Sequence, residues 1–323
     1  MSHAAPTEHD ARDAVRRLLG TEATVVTRFP TGNHHHVYDV ALADGRQVVA
    51  RLSRPEHRGL VRGALGWHRL LRPLGVPLPE LLASAVDPED GPLPVMILER
   101  FPGTDLQHIY PSLTGAQRST IAGQIAAVQR IVGDLPPGRG YGYAVSYCDR
   151  TLHPTWAAVI DASLARSRER IAAAGVVDVS HVDRVAQMVE RRRSVLGAVP
   201  PWAFLDDTTT KNVIVAEGRL SGIVDVDVVC YGDPLYVVAL TRMSLLSRAY
   251  DMDYVDAWLA ALDPAPDREA LLRLDLYTVV FCVDFLSELG QRFNKVGPQP
   301  VDPRYIARLS TVLDGLVKDG QTK

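Results

Sequence analysis

Two acids and an asparagine stand where a polar loop meets a β-branched run, in the stretch FLDDTTTKNVIV at 204–215. Asp207 and Asn212 lie five positions apart, and Asp225 follows the next apolar run, GIV. Phosphoryl transfer requires a carboxylate that orients the attacking hydroxyl, and oxygen ligands for Mg²⁺. Because a hairpin brings neighbouring strand ends together, these three residues would supply one base and two oxygen ligands for a metal.

Each of these residues alone is equally typical of a plain turn, because Asp and Asn favour turns. Their order, followed by Gly-Asp-Pro at 232–234, favours the catalytic interpretation. Asp206 competes with Asp207 for the role of base. Side chains of an extended segment alternate in direction, so only one of the two acids is expected to face a phosphate. The spacing to Asn212 favours Asp207.

Three motifs in the second half of the chain, DTTTKN (207–212), GIVDVD (222–227) and YGDPLY (231–236), resemble those of the aminoglycoside phosphotransferase family. Members of that family are relatives of protein kinases. The resemblance implies that Asp207 is the catalytic base and that Asn212 and Asp225 bind Mg²⁺. It leaves Asp227 as a residue near the metal or a ligand of a second metal.

Three upstream segments extend the resemblance to roughly residues 24 to 240. PTGNHHHVYDV (30–40) is similar to the hairpin that covers the nucleotide, and VVARL (48–52) to the strand with a phosphate-contacting cation. LERFPGTDL (98–106) is similar to the linker whose backbone meets the adenine or guanine. The resemblance therefore implies ATP or GTP as phosphate donor, contacted by Arg51, Gly32, Asn33, His34, Glu99 and Phe101.

The chain departs from the family pattern at two places. The family's His-Gly before the catalytic Asp is Leu205-Asp206 here. The family's first helix also carries a Glu that pairs with the strand cation, whereas LVRGALGWHRLL has Gly63 near that place and no acid. Either Glu56, the nearest acid upstream, pairs with Arg51, or Arg51 acts without a partner.

The acceptor is the least determined part of the site. Asp284 and Glu288 lie four residues apart in an otherwise apolar helical stretch, so they are candidates for acceptor contacts, together with Asp206 and Asp227. A cluster of acids suits a cationic acceptor such as an aminoglycoside. The family resemblance implies a kinase of an antibiotic-like hydroxyl compound, with resistance or self-protection as its role.

Three other functions are alternatives to this one. The departures at 205–206 and in the first helix allow a catalytically inactive, nucleotide-binding scaffold. A metabolic kinase of choline, homoserine or sugar type fits the same resemblance. A protein kinase is disfavoured, because Gly-Asp-Pro follows Asp225 within eight residues and leaves no room for a long activation loop.

The elements that must position these residues change character along the chain. Short β-branched runs fill 24–53, with the turn ADGR at 43–46, and are followed by a helical pattern at 59–74 and a strand at 92–101. Long amphipathic helices then dominate, at 114–135, where Thr114 could cap the start, at 154–175, which ends on Gly175, and at 181–199. They are interrupted by a hairpin that contains Asp207 and Asp225 and turns at Glu217-Gly218. The sequence predicts an α+β, bilobal, protein-kinase-like fold, with an N-terminal nucleotide-binding lobe at 1–101 and a helical lobe at 102–323.

Composition excludes several function classes. The 323 residues carry a net charge of −3 and a pI near 6.4, so nucleic acid is not an expected partner. Three scattered cysteines fit a reducing cytoplasm, and residues 1–20 do not read as a signal peptide. No apolar run is long enough to span a membrane. A monomer or a homodimer is expected.

Overall fold

A five-stranded antiparallel sheet forms the N-terminal part of the protein. The computed structural model describes residues 5–30, 35–291 and 301–322. Within them the sheet has the spatial order β1-β2-β3-β5-β4. Its strands are β1 (Ala23–Arg28), β2 (His36–Leu42), β3 (Gln47–Leu52), β4 (Leu81–Ala85) and β5 (Val95–Glu99). The turn between β2 and β3 is the predicted Asp44-Gly45 turn, where Gly45 takes a φ of +87° that suits glycine.

Two helices cover the two faces of this sheet. Helix α1 (Glu8–Leu19) packs on one face through Ala11, Ala14 and Val15, and α2 (Arg58–Leu71) packs on the other through Val61, Ala64 and Leu65. The sequence did not predict α1. The local sequence feature that marks the start of α1 is a capping box, in which the side chains of Thr7 and Asp10 each accept from the other's backbone N–H group.

The remainder of the protein is mostly helical, as predicted. Its helices are α3 (Leu106–Ile109), α4 (Gly115–Gly133), α5 (Trp156–Ala174), α6 (Ser180–Arg191), α7 (Ser194–Gly197), α8 (Leu235–Ser247), α9 (Asp253–Ala260), α10 (Arg268–Ser287) and α11 (Pro303–Thr322). The prediction of one helix over 181–199 is wrong. Arg192 leaves the helical conformation with φ −116° and ψ 19°, which separates α6 from α7.

Two small sheets position the candidate site. β6 (Thr104–Asp105), β9 (Val213–Ala216) and β10 (Arg219–Ile223) form one, in the order β10-β9-β6. β7 (Gly142–Ala144), β11 (Val229–Gly232) and β8 (Trp202–Phe204) form the other, in the order β7-β11-β8. The division expected between residues 101 and 102 falls between β5 and β6, and it remains a prediction.

Helix α10 lies at the centre of the helical part. Most of its residues from Leu274 to Ser287 are buried, which explains why its sequence is apolar on all sides. Among the described residues, no helix combines the length and the apolar character needed to cross a membrane.

Candidate active site

The loop at 205–212 connects β8 to β9 and is anchored by one glutamine of α4. The Gln129 side chain accepts from the Leu205 N–H at 2.9 Å and donates to the Leu205 carbonyl and to Thr208 Oγ1, each at 3.0 Å. Gln129 is buried, so these bonds fix the start of the loop in a dry environment. Sequence reasoning missed Gln129, because its partner Leu205 lies 76 positions away.

The carboxylate of Asp207 is held within this loop. Thr209 Oγ1 donates to Asp207 Oδ1 at 2.6 Å, and Lys211 Nζ lies 3.3 Å from Asp207 Oδ2. The Asn212 side chain donates from Nδ2 to the Asp207 carbonyl at 3.0 Å. The structure therefore brings the predicted base and one predicted metal ligand into direct contact through the backbone of Asp207.

The hairpin β9–β10 brings Asp225 back toward this loop. It turns at Glu217 and Gly218, with φ values of 51° and 74°, as predicted. At its far end the Val224 N–H donates to the Asn212 carbonyl at 2.9 Å, so Asp225 directly follows a residue bonded to Asn212. Asp225 has a φ of 63°, a left-handed conformation that is uncommon for a residue other than glycine and is frequent at functional sites.

Arg51 reaches from β3 to the segment after β10. Its Nη2 atom lies 3.1 Å from Asp225 Oδ1 and forms a closer ion pair with Asp227. The other carboxylate oxygen of Asp227 contacts His35 Nε2 at 2.8 Å, and His35 Nδ1 contacts Ser53 Oγ at 2.6 Å. A continuous polar network thus connects the five-stranded sheet with the candidate metal ligand.

This network replaces both pairings expected for Arg51. Glu56 is exposed and has no ion pair with Arg51, so it does not serve as the partner. Arg51 is not without a partner either, because Asp225 and Asp227 both neutralise it. Both alternatives stated for Arg51 are therefore wrong. The physical reason is that the pairing acids lie far along the chain, where local spacing gives no signal.

The pKa of Asp206 is raised by its burial and by the neighbouring acids. Burial, and then the negative charge of Asp207, raise the pKa of Asp206 to about 8, with smaller effects from Asp227 and Asp225. Burial opposes ionisation of Asp227 as well, but Arg51 and His35 hold the pKa of Asp227 well below its usual range. The Asp206–Asp207 pair lies in a turn, so the expectation of alternating side chains does not apply there.

The predicted nucleotide contacts fall in different places. Phe101 lies on the linker after β5, with its ring against Gly222 of β10. The Glu99 side chain accepts from the Glu80 N–H at 2.9 Å through Oε2. The predicted contacts Gly32, Asn33 and His34 lie outside the described residues.

The two candidate acceptor contacts on α10 differ from each other. Asp284 Oδ1 accepts from Ser167 Oγ at 3.3 Å and from Arg166 Nη2 at 3.4 Å. Glu288 lies just beyond the end of α10, at the C-cap. Burial and the charge of Asp284 raise the pKa of Glu288, and Lys211 lowers it. Lys211 and Asp207, both in the 205–212 loop, therefore influence the pKa of Glu288.

Comparison with known proteins identifies the family of the chain. The sequence model of the phosphotransferase enzyme family (APH) matches residues 25–272. None of the curated proteins is similar enough to match the chain.

Three solved structures illustrate the similarity of fold. A thermostable mutant of aminoglycoside phosphotransferase APH(4)-Ia in its apo form has a TM-score of 0.68 at 19% identity, covering 96% of this chain and 99% of that one. Another variant of that enzyme, in a ternary complex with AMP-PNP and hygromycin B, has a TM-score of 0.67 at 19% identity, covering 96% and 98%. A putative fructosamine-3-kinase from Thermobifida fusca has a TM-score of 0.62 at 18% identity, covering 97% and 98%.

These similarities agree with the α+β, bilobal, protein-kinase-like fold predicted from the sequence. The family match covers well over half of the 323 residues, including Arg51, Asp207, Asn212 and Asp225. The chain therefore belongs to the phosphotransferase enzyme family and is a small-molecule kinase that uses a hydroxyl acceptor.

Proposed function

We propose that the chain transfers the γ-phosphoryl group of ATP or GTP to a hydroxyl group of an antibiotic-like acceptor. The observation that carries the proposal is the approach of Arg51 from β3 to Asp225, beside the loop that holds Asp207 and Asn212. A cation for the phosphates, a carboxylate for the acceptor and oxygen ligands for a metal stand together. Phosphoryl transfer depends almost entirely on such positioning and charge stabilisation.

In this proposal Asp207 orients the acceptor hydroxyl and accepts its proton. Its carboxylate is held by Thr209 and lies beside Lys211, while Gln129 anchors the start of the loop. A positioned general base of this kind typically contributes a factor of roughly 10² to 10⁴ to the rate. Lys211 balances the negative charge of Asp207, whose carboxylate stays partly exposed to solvent.

Asn212 and Asp225 are the residues that would hold Mg²⁺. Their side chains offer the oxygen atoms that Mg²⁺ prefers. The aspartates at 207, 225 and 227 outnumber the two nearby cations, Arg51 and Lys211, while Asp206, with its pKa raised to about 8, adds little negative charge at neutral pH. The excess of negative charge fits a divalent ion. When bound, Mg²⁺ neutralises charge on the phosphate oxygens.

Arg51 supports the nucleotide assignment. Its Nε–H is buried and has no hydrogen-bond partner among the described residues. Buried donors are almost always paired in folded proteins, so this atom fits a ligand oxygen such as that of a phosphate. Phe101, on the linker, is proposed to contact the nucleobase, together with the backbone near Glu99.

For the acceptor we propose an aminoglycoside, a nucleoside antibiotic or a related hydroxyl compound, with resistance or self-protection in the cytoplasm as the role. Glu288 is the acid that we assign to contact a cationic acceptor, because it lies close enough to Lys211 and Asp207 for their charges to influence it. Asp284 is less suited to this contact, since Arg166 already neutralises it. A metabolic sugar-type kinase is the second candidate, favoured by the similarity to a putative fructosamine-3-kinase.

The test is a screen for phosphate transfer with Mg²⁺ and with ATP and GTP in separate reactions. Acceptors include aminoglycosides, nucleoside antibiotics, choline, homoserine and a fructosamine, and mass spectrometry detects the product. We expect one antibiotic class to react, and Asp207→Asn to lower the rate by roughly 10² to 10⁴ while nucleotide still binds. The exposed acid Glu89 provides a matched control, Glu89→Gln, which should react like the wild type.

Two results would contradict the proposal. Phosphorylation of choline, homoserine or the fructosamine alone would favour the metabolic kinase. If wild type and Asp207→Asn are equally inert on every acceptor while both bind nucleotide, the chain is a catalytically inactive scaffold.

A further inference from the structure

Arg51 is buried, so its guanidinium charge must be neutralised by a nearby acid. Arg51 and Val49 are two apart on β3 and point to the same face of the sheet, where Val49, Met96 and Leu98 pack against α2. A guanidinium in such surroundings needs a fixed countercharge, since an unpaired buried ion is strongly unfavourable. Helix α2, with the sequence RGLVRGALGWHRLL, contains no acid that faces it.

The packing of α2 explains why an acid is excluded near Gly63. A Cβ atom added to Gly63 would lie 2.1 Å from the carbonyl oxygen of Val145 and 2.6 Å from its Cγ1. The segment after β7 therefore occupies the space that a larger residue at position 63 would need. The helix cannot supply the partner of Arg51 from this position without moving the backbone at Val145.

Asp227 is the ion-pair partner that α2 does not provide for Arg51. It pairs with Arg51 through Oδ1 and with His35 Nε2 through Oδ2, the latter at 2.8 Å. His35 is in turn held by Ser53 Oγ at 2.6 Å. Residues 35 and 53 lie side by side at the ends of β2 and β3, because His36 pairs with Leu52 in the register of the sheet. Asp227 is thus fixed at both of its carboxylate oxygens.

Asp225 differs from Asp227 in this respect. Its side chain is 45% exposed, against 18% for Asp227, and it contacts the same Arg51 nitrogen from 3.1 Å. The more exposed carboxylate is the one that remains available to a ligand. Both carboxylate oxygens of the more buried Asp227 already contact a partner, Arg51 or His35.

We propose that Asp227 is the residue that positions Arg51 for the nucleotide phosphates, in place of an acid on the first helix. This inference rests on the proposed function, in which Arg51 binds phosphate. It has a structural consequence. The partner of the phosphate-binding cation lies on the same short segment as the metal ligand Asp225, so displacing this segment disturbs both together.

The test measures binding of a non-hydrolysable ATP analogue by calorimetry, without an acceptor and in the presence of a chelator, so that no metal or turnover enters. We expect Asp227→Asn and Arg51→Met each to weaken binding by roughly tenfold or more. The double variant should be no weaker than the Arg51→Met variant, because both changes remove one interaction. Asp227→Glu should restore part of the loss.

A milder variant covers the case in which Asp227→Asn does not fold. Ser53→Ala leaves every charge in place but frees His35, and we expect it to weaken binding by roughly twofold to fivefold. Glu56→Gln tests the rival partner and should bind like the wild type.

Several outcomes would overturn the inference. They are wild-type or tighter binding by Asp227→Asn, an additive loss in the double variant, or a loss in Glu56→Gln equal to that in Asp227→Asn. If Arg51→Met itself binds normally, the assignment of Arg51 to the phosphates fails first. That result separates failure of the proposed function from failure of this inference.

Discussion

The ring of Phe101 lies directly against Gly222, so that a Cβ atom at residue 222 would come within 2.1 Å of the ring carbon Cε2. Phe101 belongs to the linker after β5, and Gly222 to β10, three residues before Asp225. The absence of a side chain at 222 therefore sets the position of a ring proposed to contact the nucleobase.

Gly222→Ala is expected to push the Phe101 ring away and to weaken nucleotide binding by several-fold, since misplaced contacts reduce affinity. Titration calorimetry with the ATP analogue measures the change. In a Phe101→Leu background the same alanine meets no ring, so it should have little further effect. An equal loss from Gly222→Ala in both backgrounds would show that the ring does not transmit the change.

The contact between Gly63 and Val145 leads to a prediction for stability. Gly63→Ala should lower the free energy of unfolding by roughly 1 to 3 kcal/mol, because a methyl group would overlap a backbone carbonyl. The same change at Gly66, one turn along α2, meets no atom within 4 Å. Gly66→Ala should instead raise it by about 0.5 to 1 kcal/mol through helix propensity. Urea unfolding compares them, and equal effects at both sites would contradict the packing argument.

Local sequence signals predicted the parts of the fold that depend on neighbouring residues. The Asp44-Gly45 turn, the Thr114 cap of α4 and the left-handed Gly175 at the end of α5 were all expected, and the structure confirms them. Each depends on hydrogen bonds within a few residues, which residue type and spacing encode. The bond from Asn212 Nδ2 to the Asp207 carbonyl is local in the same sense, although the sequence did not predict it.

The unpredicted features are contacts between residues distant in the sequence. Asp227 meets Arg51 across 176 positions, and Gln129 meets Leu205 across 76. Periodicity and turn signals carry no information about such pairs. Arg166, which neutralises Asp284, is a similar case, because both residues look like ordinary helix charges until α5 and α10 are packed together.

Asp206 is expected to make stability depend on pH. Its pKa is raised to about 8 in the folded protein by burial and by Asp207, against about 4 for an unfolded Asp. The folded state then holds a proton that the unfolded state has lost between these values. The contribution of Asp206 to the free energy of unfolding is fully present below pH of about 4, falls as the pH rises and is lost above about 8.

Asp206→Asn keeps the shape of the protonated acid and should remove this dependence. Relative to the wild type, the variant should gain stability progressively from pH of about 4 to about 8, by an amount on the order of 2 kcal/mol because Asp206 is only half-buried. Thermal unfolding across that range, without nucleotide and with a chelator, measures the difference. Glu89→Gln is the matched control and should give a constant difference, and a constant difference for Asp206→Asn as well would refute the prediction.

We expect Asp233 of the Gly-Asp-Pro motif to stabilise the fold and to take no part in catalysis. Asp233 Oδ1 accepts from the Leu235 N–H at 3.0 Å, at the start of α8, and Oδ2 accepts from Arg273 Nε at 2.7 Å and from Tyr277 Oη at 3.0 Å. The acid is nearly buried, so it connects α8 to α10 through charge-assisted bonds in a dry environment.

Asp233→Asn should therefore lower the free energy of unfolding by about 2 to 4 kcal/mol, because Arg273 loses its countercharge while remaining largely buried. Asp314→Asn removes an ion pair whose partner, Arg184, is 39% exposed, and it should cost less than about 1 kcal/mol. Urea unfolding compares the two variants. Nucleotide binding by folded Asp233→Asn should equal that of the wild type, since none of its three hydrogen bonds involves Arg51, Asn212 or Asp225. A weaker nucleotide affinity in a variant of unchanged stability would instead place Asp233 in the site.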